Sequence, residues 1–306
     1  MRNPTLRRSI TTLAALSALT ALSAHAVTLK VANQGDALSM DPHSLNESLQ
    51  LSVTNNVYEG LLTRGKNLEL QPGLATSWRQ TSPTVWRFEL RRNVRFHDGT
   101  PFTADDVVFS ISRAMAKTSN YQVFTQGIDR VVKVNENTVD FIMKGPNPVL
   151  LNQLTELRIM SKAWAEKNRS TEPKDIRTKD ETFSHRNAMG TGPYVVKEWQ
   201  PDQRLVLVKN PNYWGSQPTN VTEIVYTPIK AEATRVAALL SGEVDFVLDP
   251  SPQDLPRLRN NANLKVIDGV ENRTIFLGMD QFRDELPGSN IKGKNPLKDV
   301  KVRKAL

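Results

Sequence analysis

Apolar and polar positions alternate over residues 28–32, which predicts a strand with one buried face. Residues 33–43 show no period, and Asp41-Pro42 within them predicts a turn. Leu45, Leu49, Val53, Val57 and Leu61 then recur at every fourth position, the stripe of an amphipathic helix. Ser44 and Glu47 have capping-box spacing, so the helix is predicted to start there. The chain opens as strand, long loop and capped helix.

The period then shortens. Residues 85–90 alternate, 94–96 form a second short strand, and Asp98-Gly99 marks a tight turn. Thr103 and Asp106 cap a helix that runs to about Met115 and carries Val107, Val108 and Ile111. Residues 131–134 and 138–143 flank Asn135-Glu136-Asn137 as a hairpin. Asn147-Pro148 opens another helix, with Pro in its first turn and Leu150, Leu151, Leu154 and Leu157 as apolar positions. Residues 166–184 are polar and carry no stripe, which predicts an exposed connection followed by a domain boundary.

Beyond residue 190, strands are predicted over 194–198 and 205–209, and 220–228 is extended. Residues 231–241 are helical and stop at Gly242, a residue suited to a left-handed cap. A buried strand over 244–248 follows, so 223–248 predicts a βαβ unit with a parallel sheet. Ser251-Pro252-Gln253-Asp254 is another capping box, and 264–267 and 274–279 are expected as strands. Residues 298–306 read as a helix starting, which predicts a fragment of a longer chain.

The amino terminus adds most to this outline. Arg2, Arg7 and Arg8 precede a small apolar run over 10–24, and Ala24-His25-Ala26 is an A-x-A cleavage site. The run is short for a bilayer span, so a cleaved export signal and a soluble, periplasmic mature chain are expected. Its removal leaves 280 of 306 residues, more than one core usually organises, and about two domains are expected. Three Arg and no acids lie in the signal, so the formal charge of +8 becomes +5. No run of five like charges occurs, which argues against nucleic acid as a partner. Cysteine is absent, so the chain has neither a disulfide scaffold nor a thiolate nucleophile.

Catalytic patterns are sparse. The mature chain keeps His43, His97 and His185, none in a ligand-spaced pair, and no G-x-S-x-G or S-x-x-K occurs. Gly190-Thr191-Gly192 lacks the third glycine of a phosphate cradle, and Pro193 removes an amide donor. It reads as a tight entry into a strand. Two features suit binding. The helix start near Ser44 would present free N–H groups along Leu45, Asn46, Glu47 and Ser48; the alternative is an ordinary capped surface helix. Arg158, set among apolar residues, either grips a ligand carboxylate or makes a structural ion pair.

An ordered set of longer motifs goes further. Met40-Asp41-Pro42-His43 precedes Tyr58-Glu59-Gly60-Leu61-Leu62 and Leu74-Ala75-Thr76-Ser77-Trp78. Trp86-Arg87-Phe88-Glu89-Leu90-Arg91 and the stretch Val94-Arg95-Phe96-His97-Asp98-Gly99-Thr100-Pro101-Phe102 follow. Gly190-Thr191-Gly192-Pro193-Tyr194, Asn210-Pro211-Asn212-Tyr213-Trp214-Gly215 and Asp299-Val300-Lys301-Val302-Arg303-Lys304-Ala305-Leu306 complete it. Over nearly all of 27–306 this resembles family 5 of the bacterial extracellular solute-binding proteins, the peptide/nickel-type receptors of ABC importers.

The resemblance implies an α/β, periplasmic binding protein type II-like, two-lobed fold with an extra α+β domain. After a signal peptide over 1–26, residues 27–60 and 187–268 would form lobe one, 61–186 the extra domain, and 269–306 the start of a second lobe that is largely missing. It places Leu45, Asn46, Glu47 and Ser48 on the ligand cleft and Tyr121 where the extra domain approaches it. Arg158 aligns with an arginine that holds a chelator carboxylate in nickel receptors. Asp249, Asn272 and Arg273 fall at the hinge strands. The implied function is non-enzymatic: a monomer that binds an oligopeptide or related amino-acid-derived solute and delivers it to inner-membrane ABC permease subunits. No cofactor or metal is implied. A nickel–chelator receptor is the alternative on the same scaffold. A secreted hydrolase is the alternative of another class, and it needs a nucleophile–base pair or metal triad that these residues do not supply.

Amino-terminal sequencing of the exported protein is expected to read Val27-Thr28-Leu29. Intact Met1 in a membrane fraction would overturn the export signal.

Overall fold

The computed structural model describes residues 26–178, 180–217, 219–269 and 274–306. The expected export signal up to residue 25, and Asn272 and Arg273, lie outside the described residues. In chain order the strands are β1 (Val27–Asn33), β2 (Glu59–Gly60), β3 (Leu62–Arg64), β4 (Leu70–Pro72), β5 (Ala75–Ser82), β6 (Val85–Leu90), β7 (Ile128–Asn135), β8 (Thr138–Met143), β9 (Arg158–Ile159), β10 (Tyr194–Gln200), β11 (Arg204–Lys209), β12 (Val221–Pro228) and β13 (Phe246–Val247). The α-helices are α1 (Ser48–Thr54), α2 (Ala104–Ala114), α3 (Gln122–Thr125), α4 (Leu150–Leu154), α5 (Lys162–Lys167), α6 (Phe183–Arg186), α7 (Glu232–Ser241), α8 (Leu255–Arg259) and α9 (Val300–Ala305). Residues 26–65 and 69–266 belong to one unit, and 66–68 with 267–306 to another.

A five-stranded sheet of the first unit has the order β10-β11-β12-β1-β13. β1 lies parallel to both β12 and β13, whereas β10, β11 and β12 are antiparallel neighbours. The βαβ expectation holds in modified form, because β12 and β13 flank β1 rather than each other. β13 is an edge strand: Val244 before it is buried, but Phe246 is 39% exposed. Gly242 closes α7 at φ +78°, a conformation that side-chain-bearing residues adopt only with strain. Val31, Leu205, Leu207 and Tyr226 pack with Val53, Val57 and Tyr58. The three parallel strands end on one edge of the sheet, from which the loop over 34–47 departs. That edge is where ligands gather in open α/β sheets.

An antiparallel sheet, β5-β6-β8-β7, has α2 against it. Ala104, Val107, Ile111 and Ala114 fall on one face of the helix and are all buried. Beneath them the rings of Phe88 and Phe141 meet edge to face, 5.0 Å apart. Burying each such large side chain contributes about 1.5–3 kcal/mol. Asp106 accepts from the Thr103 backbone N–H at 2.9 Å, as its capping spacing predicted, and also from Lys162 N at 2.9 Å. One carboxylate thus starts α2 and ties α5 to it.

Several expectations fail for local reasons. α1 begins at Ser48 rather than Ser44. Glu47 is its cap, accepting from Leu49 N at 3.0 Å and Gln50 N at 3.2 Å, while Ser44 Oγ donates back to Asp41 O at 3.1 Å. Ser44 is consumed by the Asp-Pro turn. α4 begins at Leu150, two residues past Pro148, because Asn147 Oδ1 takes Val149 N at 3.1 Å. Residues 94–96 make only an isolated bridge between Arg95 and Pro101. The connection over 166–184 is anchored at buried Ser170 and Ser184, whose Oγ and N meet at 3.0 Å. Residues 264–267 form no strand: Leu264 N closes a turn onto Asn261 O at 3.1 Å.

The second unit is small. Asn295 Nδ2 donates to Asp280 O at 2.9 Å and Arg283 O at 2.8 Å, and Asp299 caps α9. Residues 274–279 are irregular there, with Ile275 and Leu277 85% and 84% exposed. A strand needs a neighbour for its backbone groups, and within this unit none is present among the described residues.

A buried polar cluster binds the loop after β1 to α2. Asp41 and Arg113 pair with both side chains inaccessible; Arg113 Nη1 donates to Asp41 Oδ1 at 2.7 Å and Nη2 to Oδ2. Ser184 Oγ donates to the same carboxylate at 2.7 Å, and Arg113 Nε to Ser170 O at 3.1 Å. Burial works against the Asp41 charge, but Arg113 outweighs it and holds the carboxyl below its usual range. His43 Nε2 lies 3.0 Å from Arg158 O, which can only accept, so Nε2 carries the proton and Nδ1 accepts from Arg113 Nη1 at 3.1 Å. Burial and then the Arg113 charge depress this imidazole from 6.5 to about 3.

A sign follows. Below its ordinary pKa the unfolded chain protonates His43 and the folded chain does not, so stability is lost as pH falls from about 6.5 toward 3. Burial depresses His97 and His185 too, adding in the same direction. Urea unfolding at pH 7 and pH 5 is expected to differ by roughly 2 kcal/mol on account of His43. His43→Gln should be less stable but show a flatter pH slope. An unchanged slope would refute a neutral buried His43.

Candidate functional site

A second carboxylate organises the region beside this cluster. Glu59 of β2 accepts from Thr191 Oγ1 at 2.8 Å, Trp214 Nε1 at 2.7 Å and Tyr213 OH at 2.9 Å. Burial pushes its pKa up, against the pull of the three donors. The Arg91 guanidinium lies 4.1 Å from the Trp214 ring centre and braces the indole. Thr191 is delivered by a tight approach of backbones. A Cβ at Gly190 or Gly192 would stand 2.0 or 2.6 Å from Val57 O, and Gly192 N donates to that oxygen at 2.9 Å. The glycine pair is therefore a packing device at a strand entry.

β2 pairs antiparallel with β9, placing Gly60 opposite Arg158. Opposed residues share a face, so the Arg158 side chain meets no competitor there. Its Nε donates to Asn55 Oδ1 at 2.9 Å and its Nη1 to Thr155 O. Asn55 and Thr155 are the C-cap residues of α1 and α4. Among the described residues Arg158 makes no ion pair, so the structural ion-pair alternative has no partner here. Burial disfavours its charged form, with Glu156 offsetting part of the effect. Arg158, Asn55, Tyr58, Glu59, Tyr213 and Trp214 border a cavity of about 300 Å³.

The other expected contacts are scattered by comparison. Tyr121 is buried, its OH donating to Leu45 O at 3.3 Å and its ring edge-on to His43 at 5.8 Å. It holds the loop rather than lining the cavity. Leu45 is half-buried, and Asn46, Glu47 and Ser48 are exposed. The expectation of an open helix N-terminus for a ligand anion is corrected, since Glu47 already occupies those N–H groups. Asp249 follows β13 at φ +47°, exposed, with no hydrogen-bond or ion-pair partner among the described residues. Asn55, Glu59, Tyr213 and Trp214 were not anticipated as a site. Glu59 and Tyr213 are 154 residues apart, and only the strand register brings them together. Among the described residues no three His, Asp or Glu converge as a metal would require, and no helix is long and apolar enough to cross a membrane.

The sequence profile of the family described as "Bacterial extracellular solute-binding proteins, family 5 Middle" matches residues 69–306, and the chain belongs to this family. It is 30% identical over 246 residues to the periplasmic oligopeptide-binding protein OppA of Salmonella typhimurium, covering 73% of this chain and 43% of that protein. It is 27% identical over 319 residues to the dipeptide-binding protein of Escherichia coli, covering 94% and 54%. The periplasmic binding protein DppA from Helicobacter pylori, solved in complex with peptide STSA, superposes with a TM-score of 0.68 at 27% identity, covering 78% of this chain and 49% of that one. The fold is thus the α/β, type II-like fold of periplasmic binding proteins. The chain spans about half the length of these relatives.

The cradle around Glu59 carries a measurable consequence. Tyr213→Phe removes one of three donors to a desolvated carboxylate, and urea denaturation is expected to show a loss of about 1–3 kcal/mol. A neutral substitution would mean that water replaces the phenol.

Proposed function

We propose that this chain, as a member of that family, is the ligand-holding part of a periplasmic receptor that hands a solute to an ABC permease. The solute is an oligopeptide or a related amino-acid-derived compound. The observation that supports this reading is Arg158, a half-buried guanidinium with neutral partners on a cavity walled by Tyr213 and Trp214. Such a group gains most from an incoming carboxylate. The loop over 34–47 departs from the carboxyl end of β1, and 44–48 is read as a further rim of the cleft, with Asp249 beyond β13 at the same end of the sheet. In this reading 27–60 and 187–268 form one lobe, 61–186 an extra domain, and 269–306 enters the second lobe. Ligand bridges the lobes and shifts an open–closed equilibrium without breaking a bond.

Mass spectrometry of small molecules released from the whole protein after periplasmic extraction tests the reading. Peptides support it, a nickel chelate replaces the solute class, and chemically altered ligand revives a hydrolase. Bound solute should stabilise the fold by about 2.7 kcal/mol at a hundredfold excess over Kd. Arg158→Ala is expected to weaken solute binding by roughly 2–5 kcal/mol, because a ligand charge loses its partner. It should also lower ligand-free stability by about 1–3 kcal/mol through the lost bonds to Asn55 and Thr155. Calorimetric titration and urea unfolding of the same variant measure both, and normal affinity would remove Arg158 from the site.

A further inference from the structure

Two buried or half-buried arginines sit in opposite surroundings. Arg113 is neutralised by Asp41, whereas both side-chain contacts of Arg158, Asn55 Oδ1 and Thr155 O, are neutral. The acids near Arg158 are engaged elsewhere. Glu59 holds Thr191, Tyr213 and Trp214, while Glu156 takes Thr155 Oγ1 at 3.1 Å and stands 4.0 Å from Arg64. An aspartate at position 55 would have the same shape as Asn55 and would quench the guanidinium. An asparagine fixes Nε and leaves the charge intact. With Nε donating to Asn55 and Nη1 to Thr155, Nη2 is the nitrogen without a hydrogen-bond partner among the described residues. Asn55 and Arg158 both border the cavity, so the oriented charge and the space for its partner coincide.

We propose that Asn55 is a positioning residue for Arg158: it orients the guanidinium without neutralising it, reserving the charge for a free carboxylate of the solute. This rests on the receptor reading above and deepens it by naming the recognised group. Tyr213 and Trp214 supply an aromatic wall for the part of the solute next to that carboxylate.

The test uses the whole protein, wild type and Asn55→Asp, with a random tripeptide pool bearing free carboxyl termini and the same pool carboxy-amidated. Retained peptides are quantified by mass spectrometry, and unfolding midpoints are measured without ligand. Wild type is expected to retain the free-carboxylate pool about thirtyfold better than the amides, which bring no charge to pair with the guanidinium. Asn55→Asp should lose that preference and yet raise the ligand-free midpoint, since it completes an ion pair. A merely structural role would move affinity and midpoint in the same direction. An Asn55→Asp protein that keeps the preference, or that has a lower midpoint, overturns the proposal. Wild type that retains both pools equally overturns it while leaving the receptor reading intact. Wild type that retains neither pool overturns the peptide reading and this inference together.

Discussion

The buried Arg113–Asp41 pair is the contact on which the arrangement around the cavity depends. It joins the turn after β1 to α2, 72 residues later in the chain. Such a pair adds little net stability over a well-packed apolar alternative, but losing one partner costs about 3–5 kcal/mol. Its effect is therefore to select one arrangement. With Arg113 in place, His43 is locked as a neutral tautomer that reaches Arg158 O. Three successive carbonyls then come under control of one facing segment. His43 O takes Asn120 N at 3.1 Å, Ser44 O takes Asn120 Nδ2 at 2.6 Å, and Leu45 O takes Tyr121 OH at 3.3 Å.

Glu59 serves the neighbouring joint by a different route. Its hydrogen-bond partners are neutral donors, which together with the nearby Arg91 charge offset part of the cost of burying the carboxyl. The donors come from the glycine turn before β10 and from the Tyr213-Trp214 segment after β11. They fit only because Gly190 and Gly192 let two backbones approach closely. One carboxylate thereby fixes the floor of the cavity to the five-stranded sheet.

Arg158 completes the contrast. Arg113 has its counter-ion in Asp41, whereas the half-buried Arg158 guanidinium has only neutral hydrogen-bond partners among the described residues. That distinction is one of environment, and neither residue's identity reveals it.

Period and capping in the sequence determined the local elements well where the reason was local. The hairpins β7–β8 and β10–β11, the capping box of α2 and the Gly242 stop of α7 all follow from neighbours within a few residues. The family motifs were likewise legible, and among the expected contacts Arg158 stands on the cavity. What the sequence did not carry was anything set by pairing across long separations. Ser44 was drawn into the Asp-Pro turn, so Glu47 became the helix cap and closed the expected anion site. Asn55, Glu59, Tyr213 and Trp214 converge only through the register of β2 with β9 and the packing of the glycine turn. Residues 274–279 have strand chemistry but lack a strand to pair with among the described residues, and a ladder needs two sides. Tertiary contact alone decided that Arg113 is paired with a carboxylate and Arg158 with neutral groups, because that depends on which side chains the fold places beside each.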